Sequence, residues 1–123
     1  MADQSLTITQ SDFQKISLMI QNLDLPIAEL LEEELGRASI VADEKAGQGF
    51  VSMNSRVRFK DLDIKKESEV TLVYPHEANL EEQKISILAP MGAALIGLRV
   101  GQQIEWPLPN GKARKIQVLA VHL

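Results

Sequence analysis

The sequence predicts an α+β fold: a short N-terminal antiparallel helical hairpin, then an antiparallel sheet packed on one short helix. Three observations predict it. Apolar residues recur at helical spacing from Phe13 to Ala38, and the period changes to alternation from Phe50 onward. The segment from Pro90 to Gly97 then opens on proline and closes on glycine, as short helices do.

The first helix has a marked start, with Thr9 as N-cap, Asp12 three residues later and Ile8 placed to pack on Phe13. Phe13, Ile16, Ile20 and Leu23 follow at spacings of three, four and three, lining one face like a short coiled-coil seam. That face needs a partner. Asp24-Leu25-Pro26 supplies a tight connection, because proline fits the first turn of a helix but not its interior. Ala28, Leu31, Leu35 and Ala38 repeat the three-four-three spacing, and Glu33 is placed to pair with Arg37 one turn on. The helical pattern ends near Ser39.

Residues 43–49 are polar and carry two glycines, so the sequence divides into a hairpin module, 1–44, and a sheet domain, 45–123. Strands are expected around Val51 to Phe59, Val70 to Tyr74, Ile85 to Leu88, Gln103 to Trp106 and Lys115 to Val121. Asn110-Gly111 supplies turn chemistry between the last two. The Pro90 to Gly97 segment is too apolar to lie in water and is expected to cross one sheet face.

With 123 residues and 45% hydrophobic content, the chain can bury one core plus a small appendage. It has no cysteine, so packing alone must hold it together, which suits the cytoplasm. No signal-like start and no apolar run of about 18 residues occurs, so a soluble, cytoplasmic chain with no membrane partner is expected. The net charge of −4 is unevenly spread: residues 1–44 carry −7 and residues 45–123 carry +3. An acidic hairpin would suit a basic partner surface or plain solvation.

No nucleophile elbow, phosphate loop, dinucleotide fingerprint or metal-ligand cluster can be read, so neither catalysis nor a cofactor is expected. His76 and His122 stand alone, without an acid-and-nucleophile pattern. Glu32, Glu33 and Glu34 point about 100° apart on a helix and cannot converge on one ion. Asp24 and Glu29 flank the hairpin tip, where they could meet a basic or metal-bearing target or simply favour the helix dipole. Arg56, Arg58 and Lys60 share one strand face through their period-two spacing. Three charges with no aromatic stripe make a weak nucleic-acid site at most, and a protein partner or neighbouring acids would use them equally well. Tyr74 and Trp106 read as packing residues.

Two segments, Val51-Ser52-Met53-Asn54-Ser55-Arg56-Val57-Arg58-Phe59 and Thr71-Leu72-Val73-Tyr74-Pro75, resemble the Rnk family, named as regulators of nucleoside diphosphate kinase. So do Leu25-Pro26-Ile27-Ala28, the run from Leu88 to Gly101, and Trp106-Pro107-Leu108-Pro109-Asn110-Gly111. The second half of that family is similar to the transcript-cleavage factors GreA and GreB, which implies an FKBP-like domain. The resemblance also implies RNA polymerase as partner, gripped at the β′ subunit on the rim of its secondary channel. The candidate binding residues are then Ala89, Pro90, Met91 and Gly92, with Ala89 standing where the Gre loop carries serine. The hairpin, at about 12 to 14 residues per helix, reaches roughly 20 Å, far short of the Gre hairpin. Asp24 and Glu29 do not reproduce the Gre acidic tip, so no metal is expected there. The resulting expectation is a regulator that occupies the channel rim and competes with Gre factors without stimulating cleavage. The other readings are a regulator of nucleoside diphosphate kinase, acting directly or indirectly, and, from the fold alone, a prolyl isomerase.

Overall fold

A computed structural model describes residues 6–46, 48–107 and 113–123. Strand β1 (Thr7–Thr9) runs into helix α1 (Gln10–Ile20), and a connection over residues 21–25 leads to α2 (Pro26–Gly36) and β2 (Ser39–Val41). Strands β3 (Arg56–Asp61), β4 (Lys66–Val73), β5 (Lys84–Ser86), β6 (Gln103–Pro107) and β7 (Ala113–His122) form one sheet in the order β5-β4-β3-β7-β6. Helix α3 (Pro90–Leu95) lies between β5 and β6 in sequence. The predicted α+β class stands.

Local chemistry sets the helix starts. Thr9 Oγ1 accepts from the Asp12 N–H at 3.2 Å, capping α1, and Pro26 occupies the first turn of α2, where its missing N–H costs no hydrogen bond. The seam is the one the spacing predicts: Ile16 and Ile20 on α1 and Ala28, Leu31 and Leu35 on α2 are buried. Arg37 pairs with Glu34 at 2.6 Å, three residues back, and not with Glu33 as the spacing suggested. At the end of α2 the i, i+3 partner is the nearer one, and Glu33 stays exposed.

Strands β1 and β2 were not foreseen. They pair in parallel, with Ile8 opposite Ile40, and join the two ends of the helical hairpin. The Ser39 N–H donates to Leu6 O at 2.7 Å, and the Thr7 N–H donates to Gly97 O at 3.0 Å. The pair is thereby tied to the turn after α3. Gly97 has φ +80°, and a Cβ there would sit 2.8 Å from the Leu6 Cβ, so both conformation and space require glycine.

The sheet departs from expectation in three places. Phe50 to Met53 is not strand: Val51 exchanges backbone hydrogen bonds with Leu98 and Gly97, and Asn54, at φ 64°, turns the chain into β3. Strand β4 begins at Lys66, earlier than its apolar part, because polar Lys66 to Glu69 pair with β3. Strand β5 runs parallel to β4 at one edge, while the other three pairings are antiparallel. The predicted Asn110-Gly111 turn lies outside the described residues.

Apolar packing crosses the predicted 44/45 boundary. Ile16, Ile20, Leu31 and Leu35 from the hairpin belong to one buried cluster with Val51, Val57, Leu72, Ile87, Leu95 and Val118 from the sheet domain. The hairpin therefore leans on the sheet domain, and its position bears on any surface the two present together.

Candidate functional site

The expected docking segment is held by a tight turn. Ser86 Oγ accepts from the Leu88 N–H at 3.0 Å, Ser86 O accepts from the Ala89 N–H at 3.0 Å, and the Ile87 N–H donates to Val73 O at 2.9 Å. These bonds fold residues 86–89 back onto the start of α3. Gly92 passes so close that a Cβ would meet Ser86 O at 2.1 Å, so only glycine lets the helix lie there. The four candidates then separate by role. Pro90 is exposed, Ala89 and Met91 are half-buried, and Gly92 is buried. Pro90 and Met91 can touch a partner, whereas Gly92 sets the distance between turn and helix.

Beside Met91 the sheet opens into a groove of about 380 Å³. Phe59, Ile64 and Ile116 supply its apolar part, with Lys66 and Ser68 also lining it. Asp61 and Arg114 line it as well, as an ion pair at 2.8 Å. Asp61 also accepts from the N–H groups of Asp63 and Ile64, at 3.0 and 3.3 Å, so one carboxylate fixes the β3–β4 turn and ties it to β7. The hydrogen bond from Arg114 holds the Asp61 carboxyl below its ordinary value against an opposing push from desolvation, with the Ile64 and Asp63 amides helping. Sequence reading missed this groove. The pair spans 53 residues, and only the alternation of Phe59 with Asp61 hinted that both face the same way.

The basic candidates lie on the other face of β3. Arg56 and Arg58 are exposed and Lys60 is half-buried, alternating with buried Val57, Phe59 and Asp61. Two of the three are already engaged: Arg58 pairs with Glu67 at 3.1 Å and Arg56 with Glu69 at 3.9 Å, both across to β4. An acid ladder thus neutralises most of the stripe, which weakens it as a phosphate track. Asp24 and Glu29 are exposed, and their side chains make no ion pair or hydrogen bond among the described residues. The groove beside Met91 and the basic stripe thus lie on opposite faces of β3. His76 sits exposed in a 3₁₀ turn (Pro75–Glu77), and His122 is exposed at the end of β7. Among the described residues no three metal-ligating side chains converge, and no helix is long and apolar enough to cross a membrane.

Residues 46–123 match the family model described as transcription elongation factor GreA/GreB, C-terminal. The chain belongs to the GreA/GreB family. Within it, a regulator of nucleoside diphosphate kinase from Escherichia coli K12 is 38% identical over 97% of this chain and 90% of its own length, which supports the expected Rnk relationship. A GreA from Thermodesulfovibrio yellowstonii is 40% identical over 64% of this chain but only 50% of its own length. A solved GreA/GreB elongation factor from Nitrosomonas europaea superposes with TM-score 0.83 at 37% identity, covering 98% of this chain and 100% of its own. The family match starts one residue after the expected start of the sheet domain, and the α3 turn and the groove both fall inside it.

Proposed function

We propose that this family member is a transcription regulator that binds RNA polymerase and acts by occupancy, without catalysis. It docks at the secondary-channel rim, on the β′ subunit, through Pro90, Met91 and the adjoining groove. The observation that carries this reading is the exposed Pro90, fixed on a helix turn that Gly92 and Ser86 hold rigid, next to an apolar groove. A rigid projecting contact beside a recess loses little conformational entropy on binding.

The hairpin supports a blocking role. Each helix has 11 residues, about 16 Å long, and Asp24 and Glu29 stand at the tip without the acidic motif of the Gre factors. A short hairpin on the same rim excludes longer-hairpinned relatives in proportion to concentration over affinity. The test is a GreB-stimulated transcript-cleavage assay with increasing amounts of this protein. Cleavage should fall, be restored by excess GreB, and never be stimulated by this protein alone; unchanged cleavage at saturation refutes competition.

A second reading rests on the full-length similarity to a protein named for nucleoside diphosphate kinase. There the chain regulates that kinase directly or through its level. A pull-down with the purified kinase that recovers no complex would leave only the indirect form.

A further inference from the structure

Strand β2 leaves the small two-stranded sheet with an open edge. The Ser39 N–H donates to Leu6 O at 2.7 Å, so in the parallel register with β1 the backbone groups of Ser39 and Val41 face β1 and those of Ile40 face away. Among the described residues nothing bonds to the Ile40 N–H or C=O. By alternation the Ala42 N–H and the Ala38 C=O point the same way, and among the described residues they too lack partners. The far side of the pair is closed, because the Thr7 N–H donates to Gly97 O.

Unpaired edges invite pairing, and proteins guard them with charge, proline or a covering segment. The large sheet does so: at one edge β5 carries Lys84 and is bridged to Asn79, and at the other β6 carries exposed Glu105. Strand β2 has no such guard. Residues Ala38-Ser39-Ile40-Val41-Ala42 include neither charge nor proline. Ile40 stands opposite Ile8 and shares its sheet face, yet Ile8 is 1% exposed and Ile40 48%. An added strand would cover that open flank. The charges lie just outside the strand: Arg37 and Asp43 are exposed, of opposite sign, and equally spaced before and after Ile40.

We propose that the β2 edge pairs with β2 of a second copy of this chain, antiparallel, about a two-fold axis at Ile40. That register lets each Ile40 N–H donate to the other copy's Ile40 carbonyl and each Ala42 N–H to the other copy's Ala38 carbonyl. It also sets the two Ile40 side chains next to each other on one face. Arg37 of each copy then comes over Asp43 of the other, whereas in-register parallel pairing would set like charges together. A second copy carries this complementary spacing by symmetry; a foreign strand would need to match it. A contact of so few residues is small, so the dimer is weak, with Kd on the order of 100 µM.

Dilution of the ¹⁵N-labelled full chain from about 1 mM to about 20 µM spans that constant. Amide shifts should move with concentration at residues 37–43 and their β1 neighbours, and sedimentation equilibrium should show dimer at the upper end. Each variant is first shown by its spectrum to be folded. Ile40→Lys, at a half-exposed edge position, should weaken association about tenfold or more. Arg37→Glu should weaken it about threefold, and adding Asp43→Lys should restore it to within about twofold of wild type, a rescue that a purely local effect would not give. Monomer throughout the dilution, shifts centred on another surface, unchanged association in Ile40→Lys, or no rescue by the paired charge exchange would each overturn the proposal.

Discussion

Gly92→Ala tests the link between sequence and docking geometry most sharply. An added Cβ would lie 2.1 Å from Ser86 O, 2.9 Å from Ser86 C and 3.0 Å from the Ile87 Cα. Carbon and oxygen without a bond between them approach to about 3.3 Å, close to the limit of weak C–H···O contacts, so turn and helix must part by about 1.2 Å. All three obstructing atoms are backbone, and no side chain can swing aside. The turn is also pinned by the Ile87 and Ala89 hydrogen bonds, and Ala93 donates to Ala89 O at 2.9 Å. Relief therefore breaks bonds or displaces α3 from a core that buries Leu95 and Ile96. Overpacking of this kind costs about 3 kcal/mol. Urea denaturation of wild type and variant, compared at equal m-value, reads that loss. Gly36→Ala is the control, since a Cβ there meets nothing within 4 Å; it should be neutral or stabilise by about 0.5 kcal/mol. If Gly92→Ala loses less than about 0.5 kcal/mol, the close approach does not hold the turn, and the reasoning from it fails.

Other perturbations test separate parts of the account. Leu31→Ala, at a residue 1% exposed in a core shared by hairpin and sheet, should cost about 2–5 kcal/mol and leave a single cooperative urea transition; separate hairpin melting would contradict the shared core. Asp12→Ala removes the acceptor for the Met53 N–H, at 3.0 Å, and should cost about 1 kcal/mol in the same assay. Asp61 has its folded pKa lowered, so its contribution is present above the ordinary value of 3.8 and lost as pH falls through the lowered one. The stability gap between wild type and Asp61→Asn should therefore hold from pH 7 to about 5 and close towards pH 2. A gap that widens on acidification has the wrong sign. Arg58→Ala breaks an ion pair whose partners are about half exposed and should cost under about 1 kcal/mol.

The hairpin was legible because its determinants are local. The three-four-three spacing, the Thr9 cap and Pro26 each act within one or two turns. The α3 turn was legible for the same reason, through Pro90 and Gly97. What the sequence concealed is built at long range. Strands β1 and β2 have three residues each, too few to show a period, and exist because the hairpin brings Leu6 beside Ser39. The first half of β4 is polar because Glu67 and Glu69 face arginines on β3, so hydrophobic alternation could not find it. The same pairing changes the meaning of Arg56 and Arg58, which read as a basic stripe in sequence and as half of an ion-pair ladder in space. The groove escaped notice because Asp61 and Arg114 meet only after the sheet has formed. Gly92 read as a candidate contact residue in a short helix, and its closeness to Ser86, which makes it a spacer instead, could not be seen.

The most direct measurement is the affinity for core RNA polymerase of the wild type, Pro90→Ala, Met91→Glu and Arg58→Ala, each first shown to be folded. The account predicts saturable wild-type binding that GreB displaces, a loss of about tenfold or more for Met91→Glu, a smaller loss for Pro90→Ala, and wild-type affinity for Arg58→Ala on the opposite sheet face. Full binding by Met91→Glu and Pro90→Ala together with loss in Arg58→Ala would move the contact to the charged face and contradict docking through α3.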